Sequence, residues 1–339
     1  MKDFSFYVLF FLMMITTSCH LQSCGSANSD SGENKIVSVV SWNVQTFFDA
    51  QLTGNEYADF QSMTKWSRDK YIERLKRLVE VMELLDSDIY VFEEIENQGV
   101  LYDIFNQLAG RAWSGNNNWT YGSFAQDDNE CIGIGILSKF PIENAVIHKM
   151  DVRTQNSKQP SSRPLLQATI LINDKKLNIL ANHWKSKSGG EENSEIWRDW
   201  QENILAKVLS TLPENENYLI CGDFNRDILD FKTDFLNEKG NVLLRFYSIA
   251  ENKSKTIPVW SPWFNDGGTL TTEKGTYYYQ KKWERIDNFL SFGSSILTSF
   301  SEKADLPWAD EDGIPLSYKI NSGEGYSDHL PIMTCVILQ

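Results

Sequence analysis

The chain is expected to fold as an α/β protein in which two mixed β-sheets pack face to face with helices on the outside. Three features predict this: many short β-branched apolar runs, hairpin signals between several of them, and amphipathic helical segments at only two long intervals. The strict alternation of strand and helix that marks a doubly wound sheet is absent. With 41% hydrophobic residues, including 11 Trp, 13 Tyr and 19 Phe, the 339 residues can bury a sizeable core, which excludes a disordered chain.

Residues 1–18 read as a signal peptide. The apolar run over residues 4–15 is too short to cross a bilayer, and Thr16, Thr17, Ser18 and Cys19 follow it. The layout resembles a bacterial lipoprotein signal with Cys19 as the lipidated first residue of the mature chain; Cys24, behind Leu21, Gln22 and Ser23, is a rival site, and a short membrane anchor is the other reading. Residues 19–35 are small and polar and form a flexible tether, so the folded domain is expected over residues 36–339. The expectation is an exported lipoprotein held at the cell envelope. Of the five cysteines, Cys131, Cys221 and Cys335 sit in strand-like apolar runs and are expected to be buried free thiols. No CxxC pair exists to build a structural zinc site.

Residues 36–42 are β-branched and apolar, a buried first strand. Tyr71, Leu75, Leu78, Met82 and Leu85 recur at helical spacing, which predicts an amphipathic helix between residues 67 and 86. A strand over 88–92 and a short helix over 100–108, stopped by Gly110, come next. Strands are expected at 119–124, 132–137, 165–172 and 176–181, the last two joined by an Asn173-Asp174 turn. Gly133 and Gly135 lack the following helix of a dinucleotide fingerprint and indicate close packing on a strand. A second long helix over 194–212 carries Ile196, Trp197, Trp200, Ile204, Val208 and Leu212 on its expected buried stripe. Later strands are expected at 218–221, 244–249, 277–279, 286–292 and 332–338. Trp260, Trp263 and Trp283 fall in an irregular stretch and read as packing residues, with a substrate platform as the alternative.

Polar residues of a few kinds stand at the ends of these strands: Asn43; Glu93, Glu94 and Glu96; Asn182 and His183; Asp223 and Asn225; Asp287; and Ser327-Asp328-His329. Ligands gathered at strand ends tend to converge in one crevice. Carboxylate and amide oxygens suit a hard cation such as Mg²⁺ or Mn²⁺, and imidazoles supply proton transfer near neutral pH. Of the four histidines, His20 falls in the tether and His148 between Ile147 and Lys149, whereas His183 and His329 both lie in strand-end clusters. Glu93 and Glu96 alone read as a solvated strand end.

Taken in order, Asn43, Glu94, His183, Gly222-Asp223-Phe224-Asn225, Asp287 and Ser327-Asp328-His329 resemble the motif set of the endonuclease/exonuclease/phosphatase superfamily. The resemblance implies a four-layer α/β sandwich with one site at the top of the two sheets. It implies Glu94 as the main metal carboxylate, with Asn43 and Asp328 as further contacts to Mg²⁺ or Mn²⁺. Asp223 and Asn225 would orient the attacking water and the phosphate. His329, held by Asp287, would act as base or phosphate-stabilising imidazole, and His183 as the second imidazole. Arg163, Asn182 and Lys185 are candidate contacts to the substrate phosphate; Lys187 and Arg198 extend a basic rim that, residue by residue, reads as surface solubility.

The implied reaction is hydrolysis of a phosphodiester, first of all by an extracellular nuclease. An inositol-phosphate phosphatase or a sphingomyelinase-like lipid phosphodiesterase is the alternative, and a non-catalytic surface binding protein the third. A net charge of −14 repels a polyanion, so DNA or RNA would be bound only weakly. The membrane would be met only through the N-terminal lipid, and no protein partner is implied.

Overall fold

The structure is a computed structural model in which residues 35–109, 121–150 and 162–339 are described. The proposed signal peptide, Cys19, Cys24 and the tether up to residue 34 lie outside the described residues.

Strand β1 (Lys35–Phe47) is followed by α1 (Arg68–Leu85), β2 (Ile89–Ile95), α2 (Gln98–Ala109), β3 (Tyr121–Ala125) and β4 (Gly133–Ser138). Then come β5 (Ile142–His148), β6 (Leu165–Ile172), β7 (Lys175–His183), α3 (Glu191–Leu209) and β8 (Asn217–Asp223). The chain continues through β9 (Lys232–Thr233), β10 (Val242–Ser248), β11 (Lys253–Val259), β12 (Tyr277–Tyr279) and β13 (Lys282–Glu284). It finishes with β14 (Asp287–Gly293), β15 (Ile296–Glu302) and β16 (Ile332–Leu338).

Two large sheets result, ordered β15-β16-β1-β2-β4-β3 and β14-β8-β7-β6-β5. Each has one parallel pair at its centre, β1 with β2 and β7 with β8, among antiparallel neighbours. A parallel pair needs a crossover, and α1 and α3 supply the two. Ser67 caps α1 by accepting from the Lys70 amide, and Asp86 ends it in the left-handed region with its N–H on Met82.

The period of two along β1 and β2 sorts their side chains between two layers. Val37, Val39, Ile89 and Val91 enter the core shared with Ala168, Ile179 and Leu219 of the second sheet. Val40, Trp42, Tyr90 and Phe92 face outward onto Leu75, Leu78 and Met82 of α1 and Leu101 and Ile104 of α2. Gly135 makes that approach feasible, since a Cβ there would stand 2.7 Å from a Leu101 methyl. With α3 adding Leu205, Ala206 and Leu209 to the first core, the order helix, sheet, sheet, helix is the expected sandwich.

Several expectations are corrected. The stripe assigned to the second long helix is half right: Ile204, Val208 and Leu212 pack partly buried against the core, but Ile196 and Trp200 are exposed, and Ser194, Arg198, Gln201, Glu202, Leu205, Ala206 and Leu209 are the buried residues. The reason is a polar network. Buried Arg226 pairs with Asp199 and Glu202 at 2.7 Å each and also with Glu195, so the helix packs through charge where periodicity suggested indoles. Arg198 is fully buried, not a rim residue, and its Nη1 donates to the Lys185 carbonyl at 3.0 Å. Glu93 and Glu96 are buried rather than solvated, Glu93 accepting from Ser41 Oγ at 3.0 Å and Glu96 from the Asp49 amide at 2.5 Å. Cys131 and Cys221 are free thiols, Cys221 buried as expected and Cys131 only half-buried, but Cys335 is disulfide-bonded. Its position in an apolar strand hides that pairing from the sequence.

Candidate active site

The parallel pairs set the site. In register, Asn43 of β1 lies beside Glu93 of β2, and Asp223 of β8 lies between His183 of β7 and Asp287 of β14. The Ser327-Asp328-His329 turn enters β16, whose Ile332 pairs with Ser41 of β1, so it reaches the same end of the sandwich.

Backbone irregularity then aims the side chains. The β1–β2 ladder slips between Asn43 and Phe47, where Gln45 and Thr46 take positive φ (53° and 49°), and Glu94 does the same at 66°. Such bulges re-aim side chains at the cost of local strain. Here they bring Asn43 Nδ2 to 3.3 Å from Glu94 Oε1 and 3.0 Å from Asp223 Oδ2. Asn225, also at positive φ, donates its backbone N–H to Asp223 Oδ1 at 2.7 Å and its Nδ2 to Oδ2 at 3.0 Å.

Gly222 sits at φ 126°, and an added Cβ would lie 1.9 Å from the Asn182 carbonyl oxygen. Backbone cannot yield that distance. Gly222→Ala is therefore expected to destabilise the protein by about 3 kcal/mol or more, read as a lower urea midpoint; an unchanged midpoint would show that the β7–β8 approach is soft.

The two histidines differ in kind. His329 Nδ1 lies 2.9 Å from Asp287 Oδ2, and Thr276 Oγ1 donates to the same oxygen. Burial alone would lower the proton affinity of His329, but the Asp287 carboxylate prevails and holds its pKa well above the usual value. For His183, burial, then the charge of Arg163, pushes the pKa well below the usual value, so this ring is neutral. Arg163 lies along it, Nε 3.3 Å from Nδ1 and Nη2 3.0 Å from Nε2. A neutral imidazole offers one acceptor. The two Arg163 contacts compete for that acceptor, and Nε2 also faces Glu94 Oε1 at 3.7 Å and Asp223 Oδ2 at 3.6 Å.

Burial raises Asp223 to about 7, with His329 opposing and Asp287 adding to the rise. Burial likewise raises Asp328, His329 opposing and Glu94 adding. Among the described residues, neither Glu94, Asp223 nor Asp328 pairs with a lysine or arginine. Carboxylates without a basic partner are hard oxygen donors that fit a divalent cation. Asp223, Asp287 and His329 have ligand atoms within 4.8 Å of one another, and His329 and Asp287 already satisfy each other.

Asn225, Asp223, Glu94, Asp328 and His329 open onto a cleft of about 590 Å³, walled by Tyr277 and Tyr279 of the β12–β13 hairpin. Of the candidate phosphate contacts, Arg163 reaches the site through His183. Lys185 is half-buried, its pKa lowered by burial and then by Arg163, which places its charge nearby. Asn182 does not reach the cleft: its Nδ2 donates to the Leu180 carbonyl at 2.9 Å and its Oδ1 accepts from Trp184 Nε1 at 3.1 Å. It stands on the opposite side of its strand from His183. Sequence reasoning missed Thr276 on Asp287 and Tyr277 against His329, rings 4.8 Å apart. A lone Thr and a Tyr triplet carry no motif.

The chain is 25% identical over 302 residues to sphingomyelinase C of Leptospira interrogans, covering 83% of this chain and 50% of that protein. It thus spans about half the length of the curated relatives it matches. In fold it is similar to truncated Caenorhabditis elegans TDP2, with a TM-score of 0.55, 16% identity and coverage of 89% of this chain and 97% of that one. An endonuclease/exonuclease/phosphatase family protein from Bacteroides thetaiotaomicron gives a TM-score of 0.53, 15% identity and coverage of 91% and 99%. A sequence profile of the Endonuclease/Exonuclease/phosphatase family matches residues 38–305, and the protein belongs to that family, whose members are metal-dependent hydrolases of phosphate ester bonds.

Proposed function

We propose that this protein is a metal-dependent phosphodiesterase acting on nucleic acid outside the cytoplasm. The observation that carries the substrate class is the cleft wall. Tyr277 and Tyr279 stack with ring centroids 6.2 Å apart, Tyr279 is 55% exposed, and Tyr277 packs on His329. A base stacks on such a surface regardless of sequence, which offsets the repulsion of an acidic protein. The turn of that hairpin is Gln280-Lys281, polar rather than apolar, which disfavours its insertion into a lipid surface.

In this reading Asn43, Glu94 and Asp328 hold Mg²⁺ or Mn²⁺. The cation supplies neutralisation of charge growing on the phosphate and the leaving oxygen. Asp223, set by Asn225, orients the attacking water and takes its proton as the new P–O bond forms and the opposite one breaks. His329, kept charged by Asp287, holds a phosphate oxygen rather than acting as base. Neutral His183, oriented by Arg163, is the second imidazole beside the phosphate.

The purified protein is expected to cleave single-stranded DNA or RNA oligonucleotides when Mg²⁺ or Mn²⁺ is present and not with chelator. A lipid phosphodiesterase is the second reading, favoured by the relative named sphingomyelinase C. Turnover of sphingomyelin vesicles with intact oligonucleotides would put that reading first.

The reading includes residues 1–18 as a signal, a lipidated Cys19 and a tether before the domain. Cys19→Ser is expected to abolish incorporation of labelled palmitate and move the protein to the soluble fraction, with Cys24→Ser unaffected. The opposite pattern would make Cys24 the anchor.

A further inference from the structure

Arg74 of α1 is 2% exposed, yet its charge is met by backbone and rings rather than by a carboxylate. Its Nη1 donates to the Thr46 carbonyl at 3.0 Å, and its Nη2 donates to Val44 at 2.8 Å and also to Gln45. The guanidinium carbon stands 3.8 Å from the Tyr318 ring centroid and 4.7 Å from that of Phe47, a cation held between two aromatic faces.

Those three carbonyls belong to the bulge of β1 in which Gln45 and Thr46 take positive φ. The amides of the same two residues point the other way. Gln45 N–H donates to Asn43 Oδ1 at 2.9 Å, and Thr46 N–H donates to Glu94 Oε2 at 2.5 Å. The Gln45 side chain closes the clasp, its Oε1 accepting from the Tyr318 amide at 2.7 Å and its Nε2 donating to the Tyr318 carbonyl at 3.4 Å. One short strained segment is thus gripped by Arg74 through its oxygens and itself grips two proposed cation ligands through its nitrogens.

We propose that Arg74 is a positioning residue for the cation site: by holding the carbonyls of the β1 bulge it fixes the orientation of the Asn43 amide and the Glu94 carboxylate. The inference rests on the reading of Asn43 and Glu94 as cation ligands. Two non-glycine residues in the left-handed region do not persist without support, and no other side chain donates to these three carbonyls among the described residues. Burial lowers the guanidinium to about 9, with Tyr318 and Glu94 opposing, so it remains charged at neutral pH. Groups behind metal ligands tune affinity by about 10- to 100-fold.

The test uses the full chain and Mn²⁺ alone, titrated by calorimetry, with the metal-free melting temperature read in parallel. Arg74→Met should weaken Mn²⁺ binding by at least about 10-fold, and Arg74→Lys, which keeps the charge and loses the fork, by less. Leu75→Ala, a buried change on the same helix with no hydrogen bond to the bulge, should lower the melting temperature and leave Mn²⁺ affinity within about 2-fold. In turnover the Arg74→Met defect should appear as a higher Mn²⁺ requirement with kcat at saturating Mn²⁺ retained. Should Arg74→Met not fold, Gln45→Leu opens only the Tyr318 clasp and should weaken Mn²⁺ in the same direction. Wild-type affinity in a folded Arg74→Met, unchanged affinity in Gln45→Leu, or equal weakening in Leu75→Ala overturns the proposal. A wild-type chain that binds no Mn²⁺ refutes the cation reading beneath it.

Discussion

His329→Ala is expected to lower kcat by about 10²- to 10⁴-fold, with oligonucleotide cleavage as the readout. The ring is 6% exposed, and Asp287 takes its Nδ1, so Nε2 is the nitrogen left for the substrate. The Trp42 indole donates to the His329 carbonyl at 2.9 Å, and the His329 amide donates to Ser327 Oγ at 3.1 Å, so the backbone stays in place when the ring is removed. What is lost is a fixed positive group where phosphate charge grows. The substitution also strands a buried carboxylate, for a stability cost of about 3–5 kcal/mol, so rates belong well below the unfolding midpoint. Full activity in the folded variant would remove His329 from the mechanism.

Glu94→Gln is expected to be still more damaging, because it removes charge where the cation needs it. Cation affinity should fall by at least about 10²-fold, and chelator should reduce wild-type turnover to background until Mg²⁺ or Mn²⁺ is restored. Glu94 accepts from the Thr46 amide through Oε2 at 2.5 Å and from the Asn43 side chain through Oε1 at 3.3 Å; the single oxygen of a Gln keeps the shorter bond to Thr46 and gives up the longer one. The fold should therefore survive, separating loss of cation from loss of structure. Undiminished turnover by Glu94→Gln, or by wild type in chelator, would contradict the assignment.

The fold was readable where one face of an element is buried and opaque where it is not. Strands β1, β2, β6, β7, β8 and β16, nearly all buried, stand out as β-branched runs in the sequence. Strand β5, an edge strand with five exposed residues in Ile-Glu-Asn-Ala-Val-Ile-His, shows no pattern, and β9, β11, β13 and β15 escaped for the same reason. On α3 the large apolar residues misled, since charge pairing with Arg226 outweighed the burial of Ile196 and Trp200. At the site, strand-end placement brought Asn43, Glu94, His183, Asp223, Asn225, Asp287, Asp328 and His329 to one end of the sandwich. Side-chain direction was not readable: Asn182 and His183 are adjacent, and alternation along β7 turns only His183 toward Glu94 and Asp223. Neither was Arg74, which meets the site across about thirty residues of sequence through backbone carbonyls that no motif encodes.

Anomalous diffraction from crystals soaked in Mn²⁺ tests the central assignment most directly. A single strong peak bounded by Asn43, Glu94 and Asp328 is the predicted result. No bound Mn²⁺, or a peak seated instead between Asp287 and His329 with Glu94 empty, would contradict it.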